Sequence, residues 1–113
     1  MASIEFLNLD LVLKLNQAKG KTEEVIKDCK SFKIGKTGQD LIERFRSGYE
    51  DKYKRIKQLA SSSNPEVVSY IEAELIQLYK DHDRCDNERD GLASFNDEMR
   101  TGATEYHVYI VWK

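Results

Sequence analysis

Glu105-Tyr106-His107-Val108-Tyr109-Ile110-Val111-Trp112 is the stretch on which the fold turns. Aromatic and β-branched side chains run through it, the types that suit a pleated, packed surface. A strand this apolar has to be covered, so it is expected inside or against a sheet. Its expected partner is Ser31-Phe32-Lys33-Ile34-Gly35-Lys36, where apolar and polar residues alternate at period two and Gly35 ends the run where backbone freedom is needed. Tyr53 to Ala60 reads as a further strand with basic residues on both faces. Because side chains alternate along a strand, Tyr106 and Tyr109 are expected to face opposite ways.

Between and before these strands the pattern is helical. Asn64-Pro65-Glu66 opens a helix expected to end near His82: Asn accepts from orphan backbone amides, and Pro loses no needed donor in the first turn. Val67, Val68, Ile71, Leu75, Ile76, Leu78 and Tyr79 cover one broad arc of it, and Glu72 falls inside that arc. Thr37-Gly38-Gln39-Asp40 is a turn that caps the next helix, with Leu41, Ile42 and Phe45 on its apolar face, Arg44 at the edge and Gly48 as its stop. Residues 1–30 form a helical N-terminal extension dense in leucine, with Gly20 expected to break the run and Thr22-Glu23-Glu24-Val25 to restart it. Asp83 to Gly102 reads mainly as loop, with a short helix around Phe95 to Met99; a loop this long in a small domain is functional or mobile more often than idle. The expected fold is one α/β (α+β) domain: a small, mainly antiparallel sheet of about three strands flanked by helices, with residues 31–87 as its core and 104–113 as its last strand.

Composition sets bounds on function. With 113 residues, 40% hydrophobic and 34% charged, the chain holds a single modest core and is too rich in apolar residues for disorder. No run approaches the roughly 20 apolar residues of a membrane span, and Met1-Ala2-Ser3-Ile4-Glu5-Phe6 lacks the basic start of a signal peptide, so the expected setting is the cytoplasm, with no membrane partner. Two cysteines, Cys29 and Cys85, imply no disulfide framework. A net charge of −2 gives no global attraction to nucleic acid, so any such contact relies on a local patch.

Glu72 is the residue that asks for an explanation. Burying an ionised carboxylate without a partner costs several kcal/mol, so the position calls for a cation, a metal or a set of donors; a rim glutamate with a wet head is the plainer alternative. Arg44 could pair with Glu72 or Asp40, and Lys36 could be a solvated strand-end lysine. Lys52-Tyr53-Lys54-Arg55-Ile56-Lys57 interleaves cations with an aromatic, as a phosphate-tracking surface or a protected edge strand does. His82, Cys85, Cys29 and His107 lack the close paired spacing of zinc ligands.

Phe32-Lys33-Ile34-Gly35-Lys36-Thr37, followed by Asp40-Leu41 and Arg44-Phe45, resembles the second half of the GIY-YIG nuclease signature. Glu72-Ala73-Glu74-Leu75-Ile76 is similar to that superfamily's glutamate helix, and Asn87 stands where its later asparagine is expected, so the likeness covers residues 31 to 87. Two departures stand beside it: Lys33 takes the place of the tyrosine, and no Gly-Ile-Tyr strand lies upstream. His107-Val108-Tyr109-Ile110 resembles the missing half, in a permuted order. The resemblance implies metal-dependent hydrolysis of phosphodiester bonds, in DNA first. Glu72 would hold magnesium, Arg44 and Lys36 would steady the phosphate, Tyr109 would assist the attacking water, and Asn87 would orient a neighbour. The same fold also admits a module that binds nucleic acid or protein without cleaving.

Overall fold

Val108, Tyr109, Ile110 and Val111 are each no more than 1% exposed, so both faces of the C-terminal strand are covered. That places it in the middle of the sheet. The computed structural model describes the backbone of residues 2–97, 99 and 102–113, and their side chains from residue 9 onward. The elements in chain order are α1 (Ala2–Ile26), β1 (Phe32–Thr37), α2 (Leu41–Gly48), β2 (Arg55–Ser62), α3 (Pro65–Tyr79), α4 (Gly91–Phe95) and β3 (Tyr106–Trp112). The sheet has the order β1-β3-β2, and β3 runs antiparallel to both neighbours. Its register pairs Phe32 with Trp112 and Thr37 with His107, so the expected pairing of the two motif strands is the observed one. This is a small α+β fold with a three-stranded antiparallel sheet.

Period-two alternation divides the core in two. Phe32, Ile34, Tyr106, Val108 and Ile110 face α1 and α3, meeting Ala18, Val25, Ile26, Val68, Ile71, Leu75 and Ile76. Tyr109 and Val111 face the other way and pack with Tyr49, Tyr53, Leu41, Phe45 and Ile56 around α2. Each fully buried large apolar side chain contributes about 1.5–3 kcal/mol, which is why the double-faced β3 anchors the sheet.

The helix ends obey the local chemistry. Asn64 Oδ1 accepts from the Glu66 amide at 3.0 Å, and an Asp40 carboxylate oxygen accepts from the Glu43 amide at 3.4 Å. Five expectations need correction. Gly20 does not break α1: Ala18, Thr22, Val25 and Ile26 form one buried stripe, and Thr22 Oγ1 returns its hydrogen bond to the Ala18 carbonyl at 2.8 Å. Packing outweighs the ~1 kcal/mol penalty of a helical glycine. The short helix lies at Gly91–Phe95, ahead of the expected position, because Asp90 caps it through the Ala93 amide at 2.7 Å. α3 stops at Tyr79, short of His82, and β2 begins at Arg55, after Tyr53. Gly35 does not end β1, which runs on to Thr37.

The outer edge of β1 is closed by residues 84–87. The Phe32 amide donates to the Arg84 carbonyl at 3.0 Å and the Asp86 amide to the Phe32 carbonyl at 2.7 Å. Arg84 also donates to the carbonyls of Ile26 and Cys29, satisfying the end of α1, whose own last turn has no basic residue. No helix among the described residues is long and apolar enough to cross a membrane.

Candidate functional site

A cleft of about 530 Å³ opens along β1 and draws its walls from both faces of the sheet. Lys36, Arg44, Glu72, Asn87 and Tyr109 all line it. Five separate elements or loops therefore deliver the five residues singled out in the sequence to one place.

On the α3 side, Glu72 is 3% exposed and so is no rim residue. Its Oε1 accepts a hydrogen bond from Ser94 Oγ at 2.6 Å, and no ion pair reaches it among the described residues. Burial pushes its carboxyl up to about 7, against the opposing pull of the Ser94 hydroxyl and the Lys36 charge. Lys36 Nζ donates to Ser69 Oγ at 2.9 Å, to the Ser94 carbonyl at 2.8 Å and to the Phe95 carbonyl at 3.4 Å. Burial lowers this ammonium, and the Glu72 charge partly restores it. Both groups are thus shifted toward their neutral forms. Their mutual attraction does not outweigh their loss of water, and they are not a stabilising buried ion pair.

On the α2 side, Arg44 reaches back over the sheet. Its Nε donates to Tyr109 Oη at 3.4 Å and a terminal nitrogen to Tyr49 Oη at 3.3 Å, with the guanidinium 4.9 Å from the centre of the Tyr49 ring. The two phenol oxygens lie 2.7 Å apart. Burial drives the Tyr109 phenol well above its ordinary value, Tyr49 adds to the rise, and Arg44 opposes it. Tyr109 is accordingly a neutral phenol in the free protein. Arg44 therefore pairs with neither Glu72 nor Asp40; its partners are phenols.

Gly35 stands directly across from Tyr109, and a Cβ there would overlap the phenol hydroxyl. The glycine of the Ile34-Gly35-Lys36 run is needed for close approach: it provides the space in which the tyrosine lies. Lys33 also lines the cleft, and its Nζ lies 5.9 Å from the centre of the Tyr49 ring. A cation thus occupies the place where the motif has a tyrosine. Asn87 has a structural position: its Oδ1 accepts from the Ile34 amide at 2.9 Å and its Nδ2 donates to the Ile34 carbonyl at 2.8 Å. The side chain imitates one more step of a strand on the β1 edge. Tyr106 lies in the α3-side core, opposite Tyr109.

Ser94 and Tyr49 also line the site and stand outside every motif of the sequence. The only signal for Tyr49 was an aromatic placed just past the helix-stopping Gly48, five residues after Arg44. The basic run Lys52 to Lys57 does not line the cleft. No group of three or more His, Cys, Asp or Glu side chains that could hold a metal stands among the described residues. Glu72 Oε2 takes no hydrogen bond from a described residue, and one carboxylate completed by waters and phosphate oxygens is how magnesium commonly binds. Comparison with family models, with curated proteins and with solved structures finds no match to this chain.

Proposed function

We propose that this chain is a metal-dependent phosphodiesterase acting on nucleic acid, DNA first, built as a permuted GIY-YIG-like module. The observation that carries the reading is the convergence of one buried carboxylate, an arginine and a hydrogen-bonded tyrosine pair on a single cleft. A magnesium ion held by Glu72 would neutralise charge developing on the phosphate and its leaving oxygen.

The remaining work falls to the chain itself. Arg44 presents a planar fork to a phosphate, and the hydrogen bonds it must exchange, at 3.3 and 3.4 Å, are long ones that are easily given up. Tyr109, as a neutral phenol, accepts a proton from the attacking water only while passing its own proton on. Tyr49 Oη, 2.7 Å away, is the acceptor for that transfer. Tyr49 is the more exposed of the two, at 9% against 1%, so it is the outlet to solvent. Lys36, turned toward α4, contributes positive potential from the floor of the cleft. Lys33 and Arg44 are the cations the cleft offers a polyanion beside Lys36, since Arg89 is paired with Asp97, and Glu72 and Glu88 line the same walls.

A second reading, a module that binds without cleaving, is favoured by one observation: the Lys36 ammonium is already occupied by three acceptors. The experiment is magnesium-dependent cleavage of supercoiled, linear, branched and single-stranded DNA, with Glu72→Ala and Tyr109→Phe checked for folding by circular dichroism. Products that need the metal and vanish in both folded variants support the nuclease. Salt-sensitive binding with no products supports the second reading.

A further inference from the structure

Ser94 touches both charged groups on the α3 side of the cleft, its hydroxyl on Glu72 and its carbonyl on Lys36. The helix that carries it has five residues, and its tethers are dense for that length. Asp90 caps it, the Gly91 amide donates to Gln77 Oε1 at 2.9 Å, and a Cβ on Gly91 would overlap the Ala73 carbonyl, so α4 lies hard against α3. An Arg89–Asp97 ion pair joins the two ends of the segment. So many constraints on so few residues fix the place of one side chain, and that side chain is 9% exposed and aimed at the carboxylate.

We propose that Ser94 is a positioning residue for the cation site, an inference that rests on the metal-dependent reading above. Its hydroxyl holds Glu72 Oε1 so that Oε2 is presented to a divalent cation in the cleft, and its carbonyl helps keep the Lys36 ammonium off that carboxylate. The physical case is geometric. A carboxylate with one oxygen fixed by a hydroxyl donor has one orientation, and such outer contacts set the affinity of the ligand they hold. An ammonium has three donors, and those of Lys36 go to Ser69 Oγ, the Ser94 carbonyl and the Phe95 carbonyl. Were Lys36 to close on Glu72 instead, the two charges would neutralise each other and the cation would meet a spent ligand.

The test uses Mn²⁺ as the probe, followed by electron paramagnetic resonance of the free ion, with Mg²⁺ as competitor, on the full chain stripped with chelator. Wild type should bind Mn²⁺ in competition with Mg²⁺, and Glu72→Gln should abolish that binding. Ser94→Ala should weaken it by about 10-fold or more, while Ser94→Thr, which keeps the hydroxyl, should stay within about 3-fold of wild type. Should Ser94→Ala not fold, Ser94→Cys keeps the volume with a poor donor and carries the same expectation. Binding in Ser94→Ala or Ser94→Cys equal to wild type overturns the inference, as does Ser94→Thr as weak as Ser94→Ala. Wild type that binds no Mn²⁺ overturns the metal reading itself and the inference with it, a failure visible before any variant is made.

Discussion

Replacing Glu72 by glutamine should stabilise the metal-free protein at pH 8 relative to its effect at pH 4. Glutamine keeps the shape and leaves an Oε1 to accept the Ser94 hydroxyl, but it cannot ionise. In the folded protein the Glu72 carboxyl is raised from 4.5 to about 7, chiefly by burial. A raised acid favours the folded state while protonated: the contribution is complete below pH 4.5 and is lost as pH climbs through 7. At about 1.4 kcal/mol per unit, that rise amounts to about 3 kcal/mol. The difference in unfolding free energy between Glu72→Gln and wild type should therefore move by about 3 kcal/mol in favour of the variant between pH 4 and pH 8. At roughly 2.1 cal/mol/K per residue over 113 residues, each kcal/mol corresponds to about 4 °C in Tm. Urea denaturation followed by circular dichroism, in chelator and at half-unit pH steps, reads the difference directly. The attraction of Lys36 is already contained in the value of about 7, so losing that neighbour in the variant adds no further slope while Lys36 stays protonated. Magnesium supplies a second arm: for a Kd on the order of 1 mM, 10 mM of the ion stabilises wild type at pH 8 by about 1.4 kcal/mol and leaves the variant unmoved. Parallel pH curves for the two proteins would refute the buried-carboxylate argument.

Three further substitutions test the frame around the site. Gly35→Ala should cost about 1–3 kcal/mol by pushing a methyl into the Tyr109 hydroxyl, measurable as a lower urea midpoint. Asn87→Ala leaves the Ile34 amide and carbonyl without their side-chain partners; a loss of about 1–3 kcal/mol is expected, with faster hydrogen exchange at the Ile34 amide. Gly20→Ala, in a helix interior where an added Cβ meets nothing within 4 Å, should raise stability by about 0.5–1 kcal/mol, and an unchanged or lower Tm would contradict the unbroken α1.

Signals that act through near neighbours were legible in the chain. The Asn64 cap, the apolar arc of α3 and the alternation in residues 31–36 are local, and the observed elements follow them. The run of apolar and aromatic residues from Tyr106 to Trp112 also announced a strand covered by the rest of the molecule. Where local signals conflicted with distant packing, the packing decided. Gly20 looked like a break because the stripe through Ala18, Thr22 and Val25 has value only once α3 and β2 lie beneath it. Tyr49 escaped notice because its partner Tyr109 lies 60 residues away.

Side-chain chemistry and periodicity over a few residues are enough for the fold class and for the oddity of a glutamate on an apolar face, while the remaining candidate residues rest on the resemblance of the motifs. Tertiary packing sets what those residues touch. It joined the strand that ends the chain to the one that follows α1, set Arg44 on two phenols instead of on Glu72, and gave Glu72 to Ser94 and Lys36 to α4. These are contacts between residues far apart in the chain. They come from burying both faces of β3 and from seating α4 on α3, constraints on the whole molecule that no local pattern encodes.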